Sequence, residues 1–216
     1  MTLAPKNSIL LAHGGYRNLR SYQVAEAVFD ATVVFCERFY ADDRRTKEQM
    51  VQAARSGVRN ISEGSGVAAT SRKSEMKLTN VARASLNDEL LRDYESFLHQ
   101  RNLPIWEKDS NKAQAMRARL RQDSISDPPA APSGSIRLTG LSGLSDFVAK
   151  ATPDIAANAM ICAINQAVYL LKRQLESQAR AFTETGGFTE KLYSTWKRQK
   201  SDKFDRSDRS DKRTPR

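Results

Sequence analysis

Apolar positions recur along most of this chain at intervals of three and four. No stretch alternates apolar and polar residues between turn signals as a half-buried strand does. The pattern predicts an all-α fold. A first long helix is expected over 16–39, where Tyr22, Ala25, Phe29, Thr32, Cys36 and Phe39 form a stripe that Val24, Val28, Ala31 and Phe35 widen. After a turn at Ala41-Asp42-Asp43, a second helix is expected from near Arg44, burying Met50, Ala53, Ala54, Gly57, Val58 and Ile61. Small residues dominate that face and admit a neighbouring helix at the short end, about 8 Å, of the usual interaxial range. Gly64 and Gly66 are expected to end the helix, because glycine tolerates the left-handed conformation of a C-cap.

A third helix is expected to open after Thr70 or Ser71, either of which can cap its first turn. Leu78, Ala82, Leu86, Leu90, Tyr94 and Leu98 form one row at intervals of four, and Asn102-Leu103-Pro104 marks the end. Residues 101–152 then interrupt the pattern over far more than the roughly 2–8 residues usual between bundle helices. Within them, Ala113, Met116 and Leu120 predict a short basic helix with Arg117, Arg119 and Arg121 pointing away. Residues 127–134 read as a Pro-rich linker, and the rest up to Thr152 as an irregular excursion. A fourth helix is expected over 154–182, with Met160, Ile164, Ala167, Leu171, Leu175, Ala179 and Phe182 inward, broken by Gly186-Gly187. The expected organisation is an N-terminal extension (1–15), a bundle (16–183) carrying the long connection, a short amphipathic suffix (184–200), and a disordered basic tail of Ser-Asp-Lys-like triplets (201–216).

Composition narrows this picture. A chain of 216 residues, 39% hydrophobic and 28% charged, suits one soluble domain with appendages. Cys36 and Cys162 sit in apolar periodic stretches and are expected to be buried free thiols, which fits a reducing cytoplasm. The run Ile9, Leu10, Leu11, Ala12 stops at His13, and no other stretch approaches the ~20 continuous apolar residues of a membrane span, so a soluble, cytoplasmic protein is expected. Half of the net charge of +10 lies in residues 186–216. Such an excess favours polyanionic partners through long-range attraction without sequence specificity.

Residues 52–90 carry a more specific signal: Ser56-Gly57-Val58-Arg59-Asn60-Ile61-Ser62-Glu63-Gly64, then Ala82-Arg83-Ala84-Ser85-Leu86-Asn87-Asp88-Glu89-Leu90. These residues resemble the bacterial four-helix-bundle family of 23S rRNA intervening-sequence proteins. Its pattern is an Arg/Ala-rich helix, Ser-Ile-x-x-Asn-Ile-Ala-Glu-Gly, a Ser-rich turn, and a helix with Ala-x-x-Ser-Leu-x-Glu-Leu. The segment from Gly186 to Lys191 looks like the subgroup with a C-terminal suffix. Departures from the family pattern are Gln52 in place of arginine, Gly57 in place of isoleucine, and the long connection. The resemblance implies a left-handed antiparallel up-down four-helix bundle, assembly into a ring of five, and no catalytic activity. A related member, the accessory protein of diversity-generating retroelements, binds nucleic acid and a reverse transcriptase.

Asn60, Glu63 and Gly64 are expected to hold the turn between helices two and three: Asn60 by bonding backbone at the helix end, Glu63 by accepting amides from the next helix. No second acid or histidine lies nearby for acid/base chemistry. Gly64-Ser65-Gly66 with Thr70-Ser71-Arg72-Lys73 lacks the Gly-Lys-Ser/Thr ending of a P-loop, and so suits contact with a nucleic-acid backbone better than a nucleotide site. Arg44, Arg45 and Lys47, then Arg55 and Arg59, then Arg72, Lys73 and Lys77, are the candidate phosphate-binding residues. They could equally be solvated surface charge, unless cyclic assembly repeats them around an axis. His13 and His99 lie on different segments, so no metal site or cofactor is expected. Tyr193 and Trp196 are expected to dock on the bundle or on a neighbouring subunit. The function expected is therefore non-enzymatic binding of nucleic acid, RNA above all, by a homo-oligomer. The alternative is a protein-interaction scaffold or an accessory factor of a nucleic-acid enzyme such as a reverse transcriptase.

Overall fold

A computed structural model of the chain describes residues 15–121, 141–186, 192, 193, 195–197 and 200. Most of the N-terminal extension with His13, the 127–134 linker, much of the suffix and the 201–216 tail lie outside the described residues. The described chain contains seven α-helices and no strand. They are α1 Arg20–Phe39, α2 Arg44–Val67, α3 Arg72–Ala84, α4 Leu91–Gln100, α5 Asn111–Arg121, α6 Leu144–Lys150 and α7 Pro153–Thr185. A six-residue π-helical segment, Ser85–Leu90, joins α3 to α4. Helix α1 packs on α2, α6 and α7, α2 packs on α3, and α7 also meets α3, α4 and α5. Buried apolar residues of all seven helices form one contiguous cluster.

The chain enters through a 3-10 turn, Tyr16–Asn18, after Gly15 at φ +74°, so α1 itself starts later than periodicity suggests. The residues expected to widen its stripe are the centre of it. Val24, Val28, Ala31 and Phe35 are fully buried, whereas Phe29 and Phe39 are only partly covered. Phe35 meets Tyr94 and Phe97 edge-on at 4.7 and 4.8 Å, a geometry favoured by the ring quadrupoles. The buried Tyr94 hydroxyl donates to Thr32 Oγ1 at 3.1 Å, and Thr32 in turn donates to the Val28 carbonyl.

Asp43 caps α2 by accepting from the Thr46 amide at 3.0 Å. The helix does not end at Gly64. It runs on to Val67, with Gly64 and Gly66 in helical conformation, and the turn falls at Ala68–Thr70. Two of the three glycines of α2 face a close neighbour: a Cβ on Gly57 would stand 2.8 Å from Leu86 Cγ, and one on Gly64 would stand 3.4 Å from the Glu75 carbonyl oxygen and Leu78 Cβ. The small-residue face therefore acts as expected, as a seat for the neighbouring helix. Ser71 caps α3 by accepting from Ser74 at 3.1 Å.

The π-helical segment accounts for the row of fours. In an α-helix each interval of four overshoots a turn by about 40°, so a long row would wrap away from its partner. A wider i→i+5 turn takes back part of that drift. Ala82, Leu86, Leu90, Tyr94 and Leu98 all remain fully buried across it.

The connection after α4 is far more ordered than an irregular excursion. Asn102, at φ +52°, and the Leu103 amide on the Leu98 carbonyl close α4. The buried Asn158 of α7 then ties down the extended stretch that follows: it accepts from the Trp106 amide at 2.7 Å and donates to the Pro104 carbonyl at 2.9 Å. Helix α5 buries Ala113, Met116 and Leu120 as periodicity predicts, and Arg119 and Arg121 are exposed. Arg117 departs from expectation, being half-buried and bonded to the Lys108 carbonyl. Residues 144–150 form α6, because Leu144, Phe147 and Val148 at i, i+3 and i+4 find a partner in α1. Arg38 of α1 donates to the carbonyls of Val148 and Ala151 at the end of α6, where unpaired carbonyls attract a cation.

Helix α7 begins with Pro153 in its first turn. Its inward row holds through Met160, Ile164, Ala167 and Leu171, after which Leu175 and Phe182 are half-buried and Ala179 is exposed, with Gln178 buried instead. By length and composition α7 could cross a membrane, at a mean hydropathy of 1.3, which no continuous apolar run in the sequence suggests; 61% of that window is buried inside the fold. Cys36 and Cys162 are buried free thiols. Burial pushes Cys36 up to about 12 and Cys162 to about 11.

Two outcomes follow from this packing. Gly57→Ala should lower the urea midpoint, because overpacking a filled core costs about 1–3 kcal/mol. Gly66→Ala, with no neighbour within 4 Å of its Cβ, should leave the midpoint unchanged or raise it. A thiol reagent at pH 8 should label neither cysteine in the folded chain and both after denaturation, since inaccessible, protonated thiols are unreactive.

Candidate nucleic-acid interface

Helices α2 and α3 lie against each other, and their outer faces carry the cations singled out by sequence. The structure divides these eight residues into three kinds. Arg45, Arg55 and Arg59 on α2, with Lys73 and Lys77 on α3, are exposed and form no ion pair among the described residues. Arg55 and Arg59 stand one turn apart on the same side of α2. Arg44 is exposed but its Nε is 2.7 Å from Glu48 Oε1, an i,i+4 pair that reduces its local field. Lys47 and Arg72 are half-buried. Lys47 lies close enough to Cys36 to favour the thiolate, and Arg72 Nη1 faces Glu75 Oε2 at 3.6 Å. Exposed Glu63 lies on α2, and exposed Asp88 and Glu89 lie on the π-helical segment that continues α3, so the cationic surface is interrupted. Lys73 Nζ stands 5.9 Å above the ring of Phe182, a contact between α3 and α7 that sequence spacing did not suggest.

Asn60, Glu63 and Gly64 do not hold the turn. Asn60 donates to the carbonyl and hydroxyl of Ser56 at 2.9 and 3.2 Å, and Ser56 Oγ lies 3.0 Å from Ser85 Oγ. That polar contact fastens α2 to the π-helical segment beside the Gly57–Leu86 approach. Glu63 is exposed, and the cap expected of it is supplied by Ser71. Gly64 serves close packing instead of chain reversal.

Behind the cationic surface is a polar cluster that sequence reading missed. Gln178 of α7 donates through Nε2 to Glu75 Oε1 at 3.0 Å and to Thr79 Oγ1 at 3.2 Å, while Thr79 donates to the Glu75 carbonyl. Glu75 and Gln178 also line a cleft of about 510 Å³ between the start of α1, the end of α2, α3 and α7. On its far side Ser21 donates to Gln174 at 2.6 Å. Burial raises the Glu75 carboxyl above its ordinary value, while Arg72 and the Gln178 hydrogen bond pull it down. Two signals could have revealed this site: Glu75 and Thr79 lie one turn apart on a helix flank, and Gln178 adjoins the apolar row of α7.

Among the described residues no group of histidine, cysteine and carboxylate side chains has the makings of a metal site, and His99 is exposed. Tyr193 and Trp196 are exposed as well, at 63% and 55%, instead of docked on the helices that precede them. No protein family, no curated protein and no solved structure matches this chain.

The Glu75 shift has a definite sign. Between the ordinary carboxyl value of 4.5 and the raised folded value, the folded chain holds a proton that the unfolded chain has released. Stability should therefore fall as pH rises through that window. Urea midpoints measured from pH 4 to 7 should show this decline, and Glu75→Gln should flatten it.

Proposed function

We propose that this chain is a non-catalytic, homo-oligomeric four-helix-bundle protein that binds nucleic acid, RNA above all, through backbone phosphates. In this reading α1, α2, the α3–α4 rod and α7 are the up-down antiparallel bundle, and α5 and α6 are additions to it. The observation that carries the proposal is the set of five exposed, unpaired cations Arg45, Arg55, Arg59, Lys73 and Lys77 on two adjoining helices. Unpaired cations can exchange their counterions for phosphates, and the entropy of counterion release supplies the affinity. The resemblance of residues 52–90 to the 23S rRNA intervening-sequence proteins supports both the bundle and its assembly into a ring. A ring would repeat the five cations and strengthen a field that one copy supports weakly.

A second reading is favoured by exposed Leu192, Tyr193 and Trp196, which suit capture of a protein partner such as a reverse transcriptase. The two readings separate on deletion of residues 201–216 and on charge reversal. Under the first, affinity for a short single-stranded RNA should fall about a hundredfold when salt rises from about 50 to 200 mM, the slope of five phosphate contacts. Arg55→Glu with Arg59→Glu should weaken binding and flatten that slope, in the full chain and in the chain lacking 201–216. Binding that ignores salt, or is untouched by the double reversal, would sink the phosphate reading. Under the second, partner capture persists in both variants.

A further inference from the structure

The basic helix α5 contributes nothing to the α2–α3 surface; its partner is α7. Neither α5 nor residues 155–175 of α7 contain an aspartate or a glutamate. Lys112, Arg119 and Arg121 of α5 and Lys172 of α7 are exposed and form no ion pair among the described residues. Exposed Arg173 faces Glu176 at a loose 4.0 Å. Over these lengths the two helices thus present cations with no carboxylate of their own to offset them, in contrast to α2 and α3. Tyr169 of α7 stands beside them, 57% exposed.

The course of α5 along α7 brings the cations and the ring together. Asn158 of α7 holds the stretch before α5, and Arg117 of α5 is close enough to Cys162 for its charge to favour the thiolate. The chain therefore advances along α7 in the direction of α7 itself. Further on, Arg20 donates to the Leu120 carbonyl at 3.1 Å and lines the same cleft as Leu170 and Arg173. The end of α5 is thus within an arginine's reach of the turn that carries Tyr169. Cys162 and Tyr169 share a face of α7, since seven residues fall only about 20° short of two turns. Helix α5 lies against that face near Cys162, and the face is open at Tyr169, about 10 Å further on.

The Tyr169 hydroxyl accepts from Arg173 Nη1 at 3.2 Å, which restrains the ring while leaving it uncovered. Its outward neighbours on α7, Asn165, Lys172 and Arg173, are exposed and polar, so the ring belongs to no apolar patch of the kind a protein partner buries. A lone ring among cations suits an unpaired base instead: the base stacks on the ring, and the phosphates of the same strand meet the charges. A duplex, whose bases are already stacked on one another, offers no such face.

We propose that Tyr169 is a stacking platform for one base of a single-stranded nucleic acid, whose backbone meets Lys172 and Arg173 of α7 and Arg119 and Arg121 of α5. The inference rests on the affinity for nucleic acid proposed above and adds a second contact surface to it, independent of α2 and α3. A ring already restrained by Arg173 loses little freedom when a base covers it. Stacking accepts any base, so this contact adds affinity for single strands without reading their sequence.

The test uses the full chain with an oligoadenosine strand, an abasic sugar-phosphate strand and a polyglutamate of equal length. The oligoadenosine should bind about tenfold more tightly than the abasic strand at the same salt. Tyr169→Ala should erase that advantage, Tyr169→Phe should keep it, and Lys172→Glu should weaken both strands alike. In the unaltered protein, a strand carrying 5-iodouridine should photo-cross-link to Tyr169. Salt-dependent binding with no gain over the abasic strand or polyglutamate, or a gain that survives Tyr169→Ala, overturns the platform and leaves phosphate binding standing. Binding that ignores the Arg55→Glu, Arg59→Glu double reversal but loses its base preference with Tyr169→Ala upholds the platform and removes the α2–α3 site. If no strand binds at low salt, both fall.

Discussion

The close approach of α2 to the helix that follows it governs much of this structure. Gly57 leaves no room for a Cβ without displacing Leu86, and at Gly64 a Cβ would already touch the Glu75 carbonyl oxygen and Leu78, so the two helices meet nearly backbone to side-chain base. Such contact gives dense packing from residues with little hydrophobic surface of their own, as Ala53 and Ala54 on the same face show. It also dictates what the partner must do. A helix pressed against so narrow a seat must keep one row of side chains over it, and the π-helical segment at Ser85–Leu90 lets a row spaced by fours remain there. The Ser56, Asn60 and Ser85 contacts fasten that stretch, so motif residues that look like a polar site in sequence are joinery between two helices.

Charge on these helices follows from the same geometry. Because one side of α2 and of α3 is committed to packing, the remaining positions are solvent-facing, and Arg55, Arg59, Lys73 and Lys77 occupy them. Arg72 and Glu75 sit at the flank where α3 also meets α7, and there the environment changes. A carboxylate that would be ordinary on the outer face is instead partly stripped of water, with a glutamine and a threonine as its nearest company. Two electrostatic settings thus lie within one helical turn: a wet one, where charge attracts at a distance, and a dry one, where individual hydrogen bonds discriminate.

Much of the fold was legible in the sequence because it rests on periodicity and turn chemistry. The start of α2 after Asp43, the cap at Ser71, the end near Asn102 and the inward face of α5 all follow from local rules. What escaped depends on partners distant in the chain. Gly64 reads as a helix stop, and only the presence of α3 shows why it sits inside a helix. Residues 144–150 are too few to declare themselves, yet Leu144, Phe147 and Val148 fold against α1. The same holds for the candidate site. Exposure of Arg55 and Arg59 could be foreseen from helix phase, whereas the Glu75–Gln178 contact spans 103 residues, and the local hints at each end do not say that the two meet.

The π-helical segment also bears on how this chain can vary over evolutionary time. A π turn differs from an α turn by one residue, so losing any single residue between Ser85 and Leu90 could restore a regular helix. The backbone would gain, and because the wide turn already absorbs one residue, the helix downstream would keep nearly its present phase. A residue lost from α3 would instead rotate everything beyond it by about 100°. Tyr94, Phe97 and Leu98 would then leave the aromatic core, and the Leu98 carbonyl that receives the Leu103 amide would turn away. The wide turn is therefore the place in this long helical run where the sequence can lose a residue and keep its core in frame.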